Sequence, residues 1–391
     1  MAPAITSFER IRFEYELEDT TLDENGFNIV YEEGSSVNRE ASLFRVHTDT
    51  GITGEYLGGT ANAYAQVSHL AQYLIGKNPL DRERLWSECK RALRKYDRTG
   101  IGPVDIALWD FAGKYYDAPV YELLGKYRNR LPAYASTPHG DENGGLDSPD
   151  AFADFAEQCL DMGYPAFKIH GWGGGDASRD VQREIDTVLA VGERVGDEMD
   201  LMLDPACEYE SFGDALKVGR ACDEAGFFWF EDPYRDGGIS QHAHRSLREN
   251  ISTPLLQGEH VRGLEIKTDF IANRATDFMR ANAELDAGIT GAMKIARVAE
   301  GFGIDVEFHG PKPAHRHCMA ATRNTNYYEM GLVHPGWATG SGPSVYASDY
   351  ADGLHAVDDD GTVPLPDGPG LGVEYDLEFI SANEVDTERF E

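Results

Sequence analysis

Residues 201–233 read LMLDPACEYESFGDALKVGRACDEAGFFWFEDP. A short apolar run ends in Asp204, an amphipathic stretch spans Ser211 to Gly226, and a second apolar run ends in Glu231. Apolar runs separated by a helix-length segment predict a βαβ unit with parallel strands. The rhythm continues in both directions: PAYAS (132–136), AFKIHG (166–171), PLLQGEH (254–260), the weak segment AELDAG (283–288), DVEFHGP (305–311) and NYYEMG (326–331). Eight runs in about 200 residues match the eight strands of an α/β fold of the (β/α)8 TIM-barrel type. A doubly wound sheet lacks support, because no GxGxxG opens a helix after the first strand.

Polar residues interrupt or end seven consecutive runs. Lys168 and His170 lie in the second, Asp204 ends the third, Glu231 the fourth and Glu259 the fifth. Asp286 lies in the sixth, His309 ends the seventh and Glu329 the eighth. In a β/α barrel the C-terminal strand ends share one mouth. Asp204 to Glu231 is 27 residues, Glu231 to Glu259 is 28 and Glu259 to Asp286 is 27, one βα unit each time. Any one of these acids alone reads as a solvated strand end. Three carboxylates in a partly buried mouth require a compensating cation, and oxygen-only ligands favour Mg²⁺ or Mn²⁺.

Residues upstream of the barrel follow other periods. Phe13, Tyr15 and Leu17, then Ser42, Phe44, Val46 and Thr48, alternate as strands do. Ala63, Val67, Leu70, Ala71 and Leu74, then Val104, Ala107, Leu108 and Phe111, recur at helical spacing. This predicts an α+β capping domain over 1–130, a barrel over 131–335 and a C-terminal segment over 336–391. Leu354, Val357, Val363, Leu365, Leu371 and Val373 give that segment enough regularity to pack back on the first domain.

In GIGPVDIALWDFAGKYYDAPVYELLG (100–125), in PDGPGLGVEYD (366–376) and in the strand-end residues, the chain resembles the enolase superfamily, specifically its mandelate racemase subgroup. The resemblance covers essentially the whole chain. It implies Asp204, Glu231 and Glu259 as Mg²⁺ ligands, Asp286 and His309 as an Asp–His dyad, and Glu329 as the acid of the eighth strand. It also implies α-proton abstraction next to a carboxylate through an enediolate, for which the metal offsets the developing charge. On this reading His309 is the base, Asp286 orients its ring, and Glu329, protonated by crowding, donates to the enediolate. Lys168-Ile169-His170 departs from the subgroup's Lys-x-Lys. Lys168 contacts the substrate carboxylate there, and His170 binds a substrate hydroxyl or shares the acid–base work. The activity implied is dehydration of an aldonate (xylonate, gluconate, arabinonate or galactonate) to a 2-keto-3-deoxy acid. The alternatives are an α-hydroxy-acid racemase or epimerase, and a non-catalytic binding barrel.

Lesser features complete the reading. The Gly171-Trp172-Gly173-Gly174-Gly175 segment is expected to be a mobile loop at the mouth, and Asp23–Asn28 a specificity loop. His260 is expected in the core or displaced into the mouth, and His315, Arg316, His317 and Arg323 in a loop that reaches the substrate. Five scattered cysteines with no CxxC pair predict reduced thiols rather than a disulfide framework or zinc site.

Charge bounds the partners. Lysine and arginine total 35 against 68 aspartates and glutamates, a net charge of −33, and only ten of the 35 are lysine. Such a surface repels nucleic acid and anionic membranes. The opening MAPAITSFER lacks a basic start followed by an apolar run, and no run spans a bilayer, so the expectation is a soluble cytoplasmic homo-oligomer. A large acidic excess with few lysines fits a saline interior, where salt screens self-repulsion. Stability and activity are therefore expected to rise with KCl beyond about 0.2 M. Thermal unfolding and turnover measured against KCl check this, and full stability only below that concentration would contradict it.

Overall fold

The structure, a computed structural model, describes residues 2–23, 26, 28–172, 180–337 and 345–391. Three strands, β1 (Ile5–Leu22), β2 (Ile29–Thr48) and β3 (Thr53–Leu57), open the chain. Helices α1 (Ala61–Leu74), α2 (Arg82–Ala92), α3 (Ile101–Tyr116) and α4 (Val120–Leu124) follow. Strands and helices then alternate: β4 (Arg130–Ser136), α5 (Pro149–Asp161), β5 (Ala166–Ile169), α6 (Val181–Val195), β6 (Asp200–Leu203), α7 (Phe212–Ala225), β7 (Trp229–Glu231) and α8 (Gln241–Arg248). The series continues with β8 (Leu255–Gln257), α9 (Leu264–Ala272), β9 (Phe278–Ala281), α10 (Gly288–Phe302), β10 (Asp305–Phe308), α11 (Pro313–Ala320) and β11 (Tyr328–Gly331). The tail adds β12 (Thr362–Pro364), α12 (Leu377–Ala382) and β13 (Glu384–Phe390).

The eight alternating strands pair in parallel in the order β10-β9-β8-β7-β6-β5-β4-β11, a nearly closed barrel. Tyr134, Ala166, Met202, Trp229 and Leu256 fill its axis, and none is exposed. Local signals set the helices. Ser211 caps α7 by accepting from Asp214 N, and Gly226 ends it at φ +71°, a left-handed turn favouring glycine. Ser148 caps α5 ahead of Pro149. Among the described residues no helix is long and apolar enough to cross a membrane.

One strand differs from expectation. The sixth barrel strand is Phe278–Ala281, and 283–287 form the turn before α10. The apolar pattern there is broken by Arg280, whose side chain is fully buried in the barrel against Glu231. An interior arginine is rare enough that the segment does not read as a strand. The tail also divides its contacts. Val363 in β12 pairs with Leu131 of β4 on the barrel, whereas β13 pairs antiparallel with β1 of the four-stranded sheet. Val363 and Leu371 are buried, and Leu354, Val357, Leu365 and Val373 pack against the core.

Helix α3 docks the first sheet on the barrel, and its buried carboxylates define the joints. Asp110 accepts from Glu55 N of β3 (2.7 Å) and from Leu371 N of the tail (2.8 Å). Asp105 accepts from Thr290 N (2.9 Å) and Thr290 Oγ1 (2.7 Å) on α10. Glycine is required at 288, where φ is +87° and a Cβ would lie 2.2 Å from Asp105. Burial pushes Asp105 up to about 7, with the Thr290 hydrogen bonds pulling the other way. An unfolded chain loses this proton near pH 4, while the folded protein keeps it to about 7. Across that interval the folded state binds more protons, so this group lowers stability as pH rises, by at most about 4 kcal/mol. Asp105→Asn keeps an acceptor for Thr290 N and cannot ionise. Its unfolding midpoint is expected to fall less between pH 5 and 8 than that of the unsubstituted protein, read by calorimetry across that range.

Candidate active site

The C-terminal ends of the barrel strands converge as the sequence predicts, and the acids there lie among buried cations. One oxygen each of Asp204, Glu231 and Glu259 lies within 4.8 Å of the others. Lys168, on β5 and fully buried, directs its three protons at Asp204 Oδ2 (3.1 Å), Glu231 Oε2 (3.3 Å) and Glu329 Oε1 (2.9 Å). Arg280 grips Glu231 bidentately, Nε to Oε1 and Nη2 to Oε2, both at 2.6 Å. Burial works against the charge on Lys168, yet Glu231 and Glu329 hold it well above the ordinary lysine value.

These contacts correct two expectations. Lys168 has no proton left for a substrate carboxylate. Glu329 is not a protonated donor, because it accepts from Ser136 Oγ (2.9 Å), Gly310 N (2.7 Å) and Lys168. Burial opposes its charge, but Lys168 and Arg280 outweigh that and hold it well below the usual carboxylate range. Four carboxylates, Asp204, Glu231, Glu259 and Glu329, face two cations, Lys168 and Arg280. The residual two negative charges suit one divalent ion, and the all-oxygen donor set suits a hard one.

The expected Asp286–His309 dyad is not formed. Asp286 lies in the turn after β9, where it accepts from Lys267 Nζ (2.5 Å), Gly263 N (3.1 Å) and Asn282 N (2.9 Å). The residue touching His309 is Asn282, whose Nδ2 lies 3.0 Å from His309 Nδ1. Asn282 Oδ1 accepts from Glu284 N (2.8 Å) and Leu285 N (3.2 Å), which fixes the amide's orientation. Asn282 therefore donates to His309 Nδ1, and neutral His309 carries its proton on Nε2, 3.3 Å from Glu259 Oε1. His170 is anchored the opposite way. Its Nδ1–H donates to Thr137 O at 2.6 Å, so Nε2, 3.2 Å from Asp204 Oδ2, is the nitrogen at which the ring takes up or releases its second proton.

The histidines and arginines expected in a loop have structural roles, and His315, Arg316 and His317 lie on helix α11 instead of a loop. His315 Nε2 accepts from Ala283 N, and its Nδ1–H donates to Gly310 O. His317 bridges Tyr121 N and Leu371 O. Arg316 is buried, with its guanidinium held by Asp352 and Pro364 O. Arg323 pairs with Glu300 on the outer surface. His260 is exposed, so its core placement does not hold. Gly173, Gly174 and Gly175 lie outside the described residues, as do Glu24, Asn25 and Phe27 of the proposed specificity loop. Arg280 and Asn282 were missed because the expected sixth strand lay too far downstream. Moving it to the apolar run that contains Arg280 would have placed Asn282 at the strand end.

Residues 29–125 match the mandelate racemase / muconate lactonizing enzyme N-terminal domain, and residues 151–379 match the enolase C-terminal domain-like family. The chain belongs to this family, the enolase superfamily's mandelate racemase subgroup. A crystal structure of D-glucarate dehydratase from Agrobacterium tumefaciens complexed with magnesium superposes with a TM-score of 0.87 at 33% identity, over 98% of this chain and 99% of that one. A D-xylonate dehydratase of Haloferax volcanii is 27% identical over 88% of this chain and 86% of its own length. A D-galactonate dehydratase family member of Streptomyces bingchenggensis is 29% identical over 88% and 89%.

The anchoring of His309 is open to direct test. In ¹⁵N-histidine-labelled protein, neutral His309 is expected as the Nε2–H tautomer. In Asn282→Asp, whose carboxylate accepts from Nδ1–H, it is expected to switch to the Nδ1–H tautomer. An unchanged tautomer would contradict the assignment.

Proposed function

We propose that this enzyme is a Mg²⁺-dependent hydro-lyase that dehydrates a sugar acid to a 2-keto-3-deoxy acid, with an aldonate such as xylonate, gluconate, arabinonate or galactonate as substrate. The observation that carries the reading is the trio Asp204, Glu231 and Glu259, flanked by two histidines anchored in opposite senses. The dehydratase names of the relatives support it. The acidic balance and the relative from Haloferax volcanii support a salt-adapted surface.

When bound by the trio, Mg²⁺ supplies the positive charge that an enediolate requires. The residues of the chain divide the remaining work. His170 Nε2 takes the proton from C2, and the C–H electron pair enters the enediolate. As the C2–C3 double bond forms and the C3–O bond breaks, His170 returns that proton to the departing hydroxyl, which leaves as water. The resulting enol tautomerises to the 2-keto acid. His309 donates from Nε2–H to a substrate oxygen as a neutral imidazole, a role that needs no lone pair facing the mouth. Lys168 and Arg280 keep Glu231 and Glu329 ionised and in place while the substrate's negative charge approaches.

A panel of aldonates and aldarates with Mg²⁺ in D₂O, scored for 2-keto acid and for deuterium at C2, tests this division. His170→Asn is expected to lower turnover about 10²–10⁴-fold and to stop C2 exchange. His309→Asn is expected to slow loss of water while exchange persists. Near-normal turnover in His170→Asn overturns the assignment.

A further inference from the structure

We infer that a second divalent-cation site adjoins the first, built from Asp232, Glu259 and His260. One ligand atom from each lies within 4.8 Å of the others, and His260 Nε2 is 3.7 Å from Asp232 Oδ2. The inference shares Glu259 with the proposed Mg²⁺ trio and otherwise concerns residues to which that reading gives no role.

The independent observation is the Asp232 side chain. It is wholly buried, and neither carboxylate oxygen has a hydrogen-bond partner among the described residues. An ionised carboxylate without donors costs several kcal/mol to bury unless a cation faces it. The backbone delivers it there under strain, since Asp232 has φ +31°. The neighbouring backbone leaves room. Gly238 has φ +70°, and a Cβ there would lie 2.6 Å from Asp232 Oδ1, so any side chain would crowd that oxygen. Glu259 follows β8 and borders both clusters, and His260 follows it at the exposed rim of the mouth.

The donor set separates the two sites. Asp204, Glu231 and Glu259 offer oxygen only, which suits Mg²⁺. In the second cluster His260 adds an imidazole nitrogen to the oxygens of Asp232 and Glu259, which favours Mn²⁺, Co²⁺ or Zn²⁺ over Mg²⁺. Glu259 is common to both clusters, and two-metal sites typically hold their ions about 3.5–4 Å apart.

Titration with Mn²⁺, followed by binding stoichiometry and electron paramagnetic resonance, tests this. The intact protein is expected to bind two Mn²⁺ per chain with an exchange-coupled signal, and excess Mg²⁺ to displace one. Asp232→Asn and His260→Ala are each expected to bind one Mn²⁺ with an uncoupled signal. His260 is exposed, so its variant is expected to fold. Asp232→Asn preserves the shape of a neutral carboxyl, so two ions retained in that variant would show that Asp232 is merely a buried neutral acid. A single ion in the intact protein, lost in Asp204→Asn and kept in Asp232→Asn, overturns the second site and leaves the first standing. No ion at all removes both.

Discussion

Carboxylates brought to one barrel mouth repel one another, and the rest of the site follows from how that repulsion is relieved. Glu231 and Glu329 are buried beside Asp204, and no water reaches them to screen the charge. The chain answers with two cations inside the barrel, Arg280 gripping Glu231 and Lys168 spanning Asp204, Glu231 and Glu329. Gly310 N and Ser136 Oγ complete the shell of Glu329. The negative charge left over makes the mouth a place that could hold a divalent ion. With a divalent ion held there, the anionic substrate proposed above would meet a charge set locally at the mouth rather than by the net −33 of the chain.

The turn between β9 and α10 links chemistry to architecture. Within a few residues, Asn282 fixes His309, and Glu284 accepts from Tyr56 OH (2.6 Å) and Gly59 N (2.8 Å) of the first domain. Asp286 receives Lys267, and Thr290 at the start of α10 holds Asp105. Gly102 of α3 packs so close that a Cβ there would lie 1.9 Å from Glu284 O. The first domain is thus seated on the segment that orients a site histidine, and a shift in one is felt by the other.

The two histidines show how weakly residue type alone constrains a role. Each imidazole has one nitrogen tied to the protein and one facing a carboxylate, at similar distances. A backbone carbonyl can only accept and an oriented amide nitrogen can only donate, so the proton is placed differently on the two rings. The roles proposed for the two rings rest on that difference.

The alternation of short apolar runs with capped helices was legible in the sequence, because strand and helix periods are local. It disclosed the barrel, the parallel order and the acids at the ends of the third, fourth and fifth strands. The sixth strand was not legible, since Arg280 makes sense inside a barrel only once Glu231 is known to lie opposite. Spacing therefore selected Asp286 where the fold presents Asn282. Likewise the sequence placed Lys168 and Glu329 beside strand ends and gave no sign of Asp232. Only the tertiary structure decided that Lys168 is consumed by three carboxylates, that Glu329 stays ionised and that Asp232 is left without a donor. Hydrogen bonds and burial between distant segments set those states, and no local pattern encodes them.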